Sequence, residues 1–115
     1  ALVDNDCKFV VEAANMPCTE KAIKVFNKNL IVVAPSKAVN AGGVAVSALE
    51  MRQNAGWEKW GIAQVDNKLR QIMREIHDSC LRNARIYGDE GDYTLGANVG
   101  GFLRVAHASI AHGII

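Results

Sequence analysis

The sequence predicts an α/β fold: two parallel strands from a doubly wound sheet, followed by three helices. Three observations carry this. Two short β-branched runs, one ending near Glu12 and one near Val33, flank a segment of helical spacing. The second run, Leu30 to Val33, is apolar on both faces, which suits a parallel strand covered by helices on both sides. Beyond Gly43 the apolar pattern is helical almost to the end.

The first strand is expected over Lys8 to Glu12, with Ala13 to Pro17 as a loop closed by the proline. Thr19 is placed to cap the next helix, and Glu20 puts a negative charge in its first turn, where the helix dipole favours one. Ala22, Ile23, Val25 and Phe26 continue that helix to near Asn29. After the second strand, Ala34 to Gly43 reads as a loop holding Pro35, Lys37, Asn40 and the pair Gly42-Gly43. A helix is expected from near Val44 to Asn54, then a break from Ala55 to Gly61.

The longest helix is expected from Ile62 to near Tyr87. Ile62, Val65, Leu69, Ile72, Ile76 and Cys80 recur there at helical spacing, with charged residues between them. Gly88 to Gly91 reads as a polar loop. Asn98 is expected to cap a last helix bearing Phe102, Leu103, Val105, Ala106 and Ile110, with Gly113 near its end. Strand–helix–strand is a crossover, right-handed in nearly all proteins. Two short strands do not make a stable sheet alone. Further strands and covering helices are therefore expected from residues outside this chain.

Composition narrows the function. Half of the 115 residues are hydrophobic, 22% are charged, and the formal net charge is +1. A dedicated nucleic-acid or membrane-surface binder would need a basic patch, so neither partner is expected. The longest apolar stretches fall short of a membrane span. Cys7, Cys18 and Cys80 match no zinc pattern and no CxxC, and read as reduced thiols. His77, His107 and His112 form no metal set. The chain begins at Ala1 and not at Met, which suits a processed product or an excised piece.

Three stretches are candidates for chemistry. Glu12-Ala13-Ala14-Asn15-Met16-Pro17 lies at a strand's carboxyl end, where open α/β sheets bind ligands. Asn15 offers a donor and an acceptor for a ribose hydroxyl or a carboxamide, or else closes a turn. The second stretch runs from Ala34 to Ser47. Val44 and Ser47 share a helix face, and Asn40 lies one turn earlier. Together they could hold a small substrate with an aliphatic body and a polar end. Alternatively, Ser47 back-bonds to its own helix and Val44 is core. The third, Gly96-Ala97-Asn98-Val99-Gly100-Gly101, spaces its glycines wrongly for a dinucleotide loop and reads as close helix packing. Lys37 reads as a solvated loop lysine.

VEAANMP and APSKAVNAGGVAVSALEM, supported by VDNKLRQIMREIHDSC and GANVGGFLRVAHASIAHG, resemble the C-terminal half of the glutamate/leucine/phenylalanine/valine dehydrogenase family. Within it, the small-subunit hexameric glutamate dehydrogenases are most similar. The resemblance implies the C-terminal portion of a Rossmann-like dinucleotide-binding domain. Residues 1–54 would end that domain, and 55–115 would form a helical segment packing back toward a substrate domain. It implies reversible oxidative deamination of L-glutamate to 2-oxoglutarate and ammonia with NADP or NAD, NADP being favoured.

By the same resemblance, Asn15 and Asn40 would contact the nicotinamide side of the cofactor. Val44 and Ser47 would line the substrate pocket, with Ser47 and a lysine from elsewhere holding the distal carboxylate. That pairing favours glutamate over the leucine, phenylalanine or valine substrates of other members. The catalytic lysine and aspartate of the family belong to its N-terminal domain. No catalytic residue and no metal site is therefore expected here, and the chain alone should be inactive. The complete protein would be a cytoplasmic homo-hexamer. Many relatives carry Gly where Ala13 stands and Thr where Cys18 stands. The rival from another class is a free-standing, non-catalytic nucleotide-binding or interaction module.

Overall fold

A computed structural model describes residues 1–114. After a short 3₁₀ turn at Val3–Asn5, strand β1 (Phe9–Val11) leads through helix α1 (Glu20–Lys28) to strand β2 (Val32–Ala34). The strands pair in parallel, with Phe9 opposite Val32, Val10 opposite Val33 and Val11 opposite Ala34. Thr19 caps α1 as expected, its Oγ1 accepting from the Ala22 N–H at 3.2 Å.

β2 starts two residues later than the apolar run suggests. Leu30 takes a left-handed conformation, φ 58°, to turn the chain out of α1, and its side chain is 90% exposed. Ile31 and Val33 instead bury against Phe26 of α1, with Val10, Cys7, Cys18 and Ala22 packed around them. Burial on both faces of the strands is not met among the described residues. Phe9 and Val11 stand 68% and 61% exposed. The reason is the two-residue alternation of a strand: α1 covers only the face bearing Val10 and Val33.

The stretch expected as a loop after β2 is helical. Helix α2 (Ser36–Val39) is a single turn, and α3 (Ala41–Ala55) begins three residues before Val44. Pro35 enters with φ −72° and ψ 148°, and its carbonyl accepts from the N–H groups of Ala38 and Val39. A proline just before the first turn is already near the required φ, so it starts this helix and does not interrupt it. Gly42 lies inside α3, where a Cβ would sit 3.7 Å from the Met73 sulfur of the next helix.

That helix, α4 (Ile62–Tyr87), has the expected bounds. Val65, Leu69, Ile72 and Ile76 are half-buried and Cys80 is buried, but Ile62 is exposed. Helix α5 (Tyr93–Ala111) corrects the expectation for Asn98. The cap is Asp92, whose side chain accepts from the Leu95 N–H at 2.9 Å, so Asn98 sits within the helix. Phe102 and Val105 remain mostly exposed.

Two of the three glycines of α5, Gly96 and Gly100, serve close packing, as the sequence suggests. A Cβ at Gly96 would overlap the Cys80 carbonyl, and one at Gly100 would lie 2.8 Å from Asn83 Nδ2. Asn83 donates to the Gly96 carbonyl at 3.4 Å across the same contact. Among the described residues, no helix is long and apolar enough to cross a membrane.

Gly96→Ala is expected to destabilise the complete protein by about 2 kcal/mol, because backbone and not a flexible side chain blocks the new methyl group. Denaturant unfolding beside a Gly101→Ala control, whose Cβ would meet nothing within 4 Å, measures the difference.

Candidate functional site

Parallel pairing brings the ends of β1 and β2 to one edge of the sheet. The loop after β1 carries Ala13, Ala14 and Asn15, and turns sharply at Met16, φ 47°. From β2 the chain enters α2 and reaches Asn40 at the junction with α3. Asn15 and Asn40, 25 residues apart, meet there: Asn40 Nδ2 donates to Asn15 Oδ1 at 2.5 Å. Ala13, Ala14, Asn15, Lys37, Asn40, Ala41 and Val44 line a cleft of about 520 Å³.

The bond between the two amides uses one donor and one acceptor. Asn15 Nδ2 and Asn40 Oδ1 remain to face a ligand, and a carboxamide offers the complementary pair. Two alanines keep the neighbouring backbone approachable. The cleft therefore offers the polar pair that a carboxamide could meet. Among the described residues, no group of three or more histidine, cysteine or carboxylate side chains could hold a metal ion.

Val44 and Ser47 share a face of α3, as helical spacing requires. Val44 is 71% exposed and lines the cleft, so it is not core. Ser47 is exposed, and its hydroxyl donates back to the Gly43 carbonyl at 3.3 Å. That contact is long, and a carboxylate would be a stronger acceptor for the same O–H.

Lys37 is exposed, but it is not simply solvated. Its Nζ donates to Asn98 Oδ1, joining α2 to α5. This is the use the fold makes of Asn98, and a separation of 61 residues hides it from any local pattern.

Glu12 also escaped sequence reasoning, which took it only as a strand end. It is buried, 4% exposed. Its Oε2 accepts from the Ser36 N–H at 2.9 Å, and its Oε1 is buried with no hydrogen-bond partner among the described residues. The one available signal was a charge closing an apolar run. The Cys18 thiol, a weak donor, lies close enough to feel the carboxylate. Burial first, then hydrogen bonding and charge from Glu12, push the thiol above its ordinary value.

The model of the glutamate/leucine/phenylalanine/valine dehydrogenase family matches residues 1–113. An NADP-specific glutamate dehydrogenase of Psychrobacter sp. is 52% identical over 99% of this chain and 26% of its own length. An NAD-specific glutamate dehydrogenase of Bacteroides fragilis is 49% identical over the same shares. In three dimensions, Plasmodium falciparum glutamate dehydrogenase 2 matches 99% of this chain and 25% of its own, with a TM-score of 0.94 at 45% identity. The chain thus spans about a quarter of the length of the relatives it matches.

Because the Cys18 thiol is held in its protonated form, site-resolved alkylation of the complete native protein should show its reactivity rising only above the ordinary thiol range near pH 9. Removing the neighbouring charge with Glu12→Gln should move that midpoint down. A midpoint identical in both proteins would count against the contact.

Proposed function

Because the chain belongs to the glutamate/leucine/phenylalanine/valine dehydrogenase family, we propose that it supplies the nicotinamide-facing edge and the side-chain pocket of an NAD(P)-dependent glutamate dehydrogenase. The reaction is the reversible oxidative deamination of L-glutamate to 2-oxoglutarate and ammonia. One observation supports it above the others: Asn15 and Asn40 are bonded together at the joint carboxyl edge, in the same cleft as Val44. When bound, the nicotinamide accepts or returns the hydride. Asn15 Nδ2 would donate to its carboxamide oxygen and Asn40 Oδ1 would accept from its amide, fixing the orientation of the ring.

Val44 supplies an aliphatic wall to the substrate. Ser47, one turn further along α3, would turn its hydroxyl from the Gly43 carbonyl to the distal carboxylate of glutamate, forming a charge-assisted hydrogen bond. An apolar substrate has no acceptor to offer there, which selects against leucine, phenylalanine and valine. No side chain of the cleft stands ready as a general acid or base, since Lys37 is engaged with Asn98. The catalytic acid–base groups would come from the remainder of the complete protein, as would a phosphate-binding loop, because the sequence contains no GxGxxG.

Both NADP-specific and NAD-specific relatives are similar to this chain, and the proposed coenzyme is NADP or NAD. Residues 1–54 would end the dinucleotide-binding domain, and 55–115 would form the helical segment packing toward the substrate domain. The apolar exposure of Phe9, Val11, Phe102 and Val105 supports surfaces covered in a larger molecule, here a cytoplasmic homo-hexamer.

In the complete enzyme, Ser47→Leu is expected to cost glutamate about 2 kcal/mol in kcat/KM by leaving its carboxylate short of a donor. Apolar amino acids should lose much less. Equal losses for glutamate and norleucine would refute the assignment of Ser47.

A further inference from the structure

We infer that Glu12 is a positioning residue: its carboxylate holds the start of α2 against the end of β1 and so sets the distance between Asn15 and Asn40. This rests on reading the Asn15–Asn40 cleft as the nicotinamide site. Glu12 is fixed at its backbone first, where its N–H donates to the Ala34 carbonyl at 3.0 Å. The side chain then reaches past Pro35 to the buried N–H of Ser36, the first residue of α2. Pro35 has no N–H and supplies no side-chain cap, so Glu12 does the capping from a neighbouring strand.

Lys37 and Asn40 ride on the turn that this bond anchors, and Asn15 lies three residues beyond Glu12 itself. The two loops are thereby stitched twice. Glu12 to Ser36 is the buried stitch, and Asn15 to Asn40 is the exposed one.

The cost of the arrangement argues that it is kept for location. An apolar side chain would fill the same space without leaving Oε1 buried and unpaired. An apolar side chain could not, however, hold Ser36 at a set distance. A charge-assisted bond to a backbone N–H gives direction and length together.

The test uses the complete protein carrying this chain. Dissociation constants for NADPH and NADH are measured by nucleotide fluorescence for the wild type, Glu12→Gln, Glu12→Asp and Glu12→Ala, with folding checked by circular dichroism. The amide oxygen of Gln still reaches Ser36, so coenzyme binding should stay within about threefold of wild type. Asp keeps the charge but falls short, and it and Ala should bind about tenfold more weakly, the loss expected for one charged hydrogen bond. The KM for glutamate should move less than the coenzyme constant.

Folded Asp and Ala variants that bind like wild type would overturn the inference. So would a Gln variant as weak as Asp, since a side chain that reaches Ser36 would then not suffice to position the site. If Ala fails to fold, the contrast between Gln and Asp decides. Collapse of all three would mean a role in overall stability and would also overturn it. Failure of the wild type to bind either coenzyme would instead refute the proposed function.

Discussion

Parallel pairing obliges two strands to end at the same edge, and the candidate site depends on that constraint. With Val10 opposite Val33 and Val11 opposite Ala34, the residues after each strand emerge side by side. Their spacing in sequence then ceases to matter. Asn15 and Asn40 can bond directly, and Val44 joins them from the first turns of α3. A one-residue slip would turn Val33 away from Phe26 and expose the small core that holds the pair together.

The helices beyond β2 return to this edge by a second constraint, the close approach of α4 and α5. Gly96 lies against the Cys80 backbone, and Asn83 bonds across the contact. Asp92 starts α5 at the register that brings Gly96 and Gly100 onto α4. The same register carries Asn98 to Lys37. A polar contact at the site thus depends on backbone packing several residues away, which is how a rigid scaffold orients exposed side chains.

Much of the fold was legible from local physics. The bounds of α4 follow from apolar spacing, and Thr19 caps α1 because its hydroxyl reaches the Ala22 N–H. Errors fell where two local signals competed. The Gly42-Gly43 pair reads as a loop, yet the turn started by Pro35 runs into α3 and absorbs both glycines. Asn98 reads as a cap because asparagine favours that position, but Asp92 occupies it six residues sooner. Leu30 belongs to an apolar run, yet the chain reversal after α1 required its left-handed backbone. At the site, Asn15, Asn40 and Val44 were legible from their place at strand and helix ends. Glu12 was not, because its importance lies in a bond to Ser36.

By itself, the sequence determined the strand–helix–strand order and the long helices, the shared face of Val44 and Ser47, and the motifs that mark the family. All of these arise from interactions within a few residues, where helical and strand periodicity act. Only the tertiary structure decided that Asn15 bonds Asn40, that Lys37 is held by Asn98, and that the carboxylate of Glu12 reaches Ser36. Those contacts span 24 to 61 residues. Their geometry is set by strand register and helix packing, which no local spacing encodes.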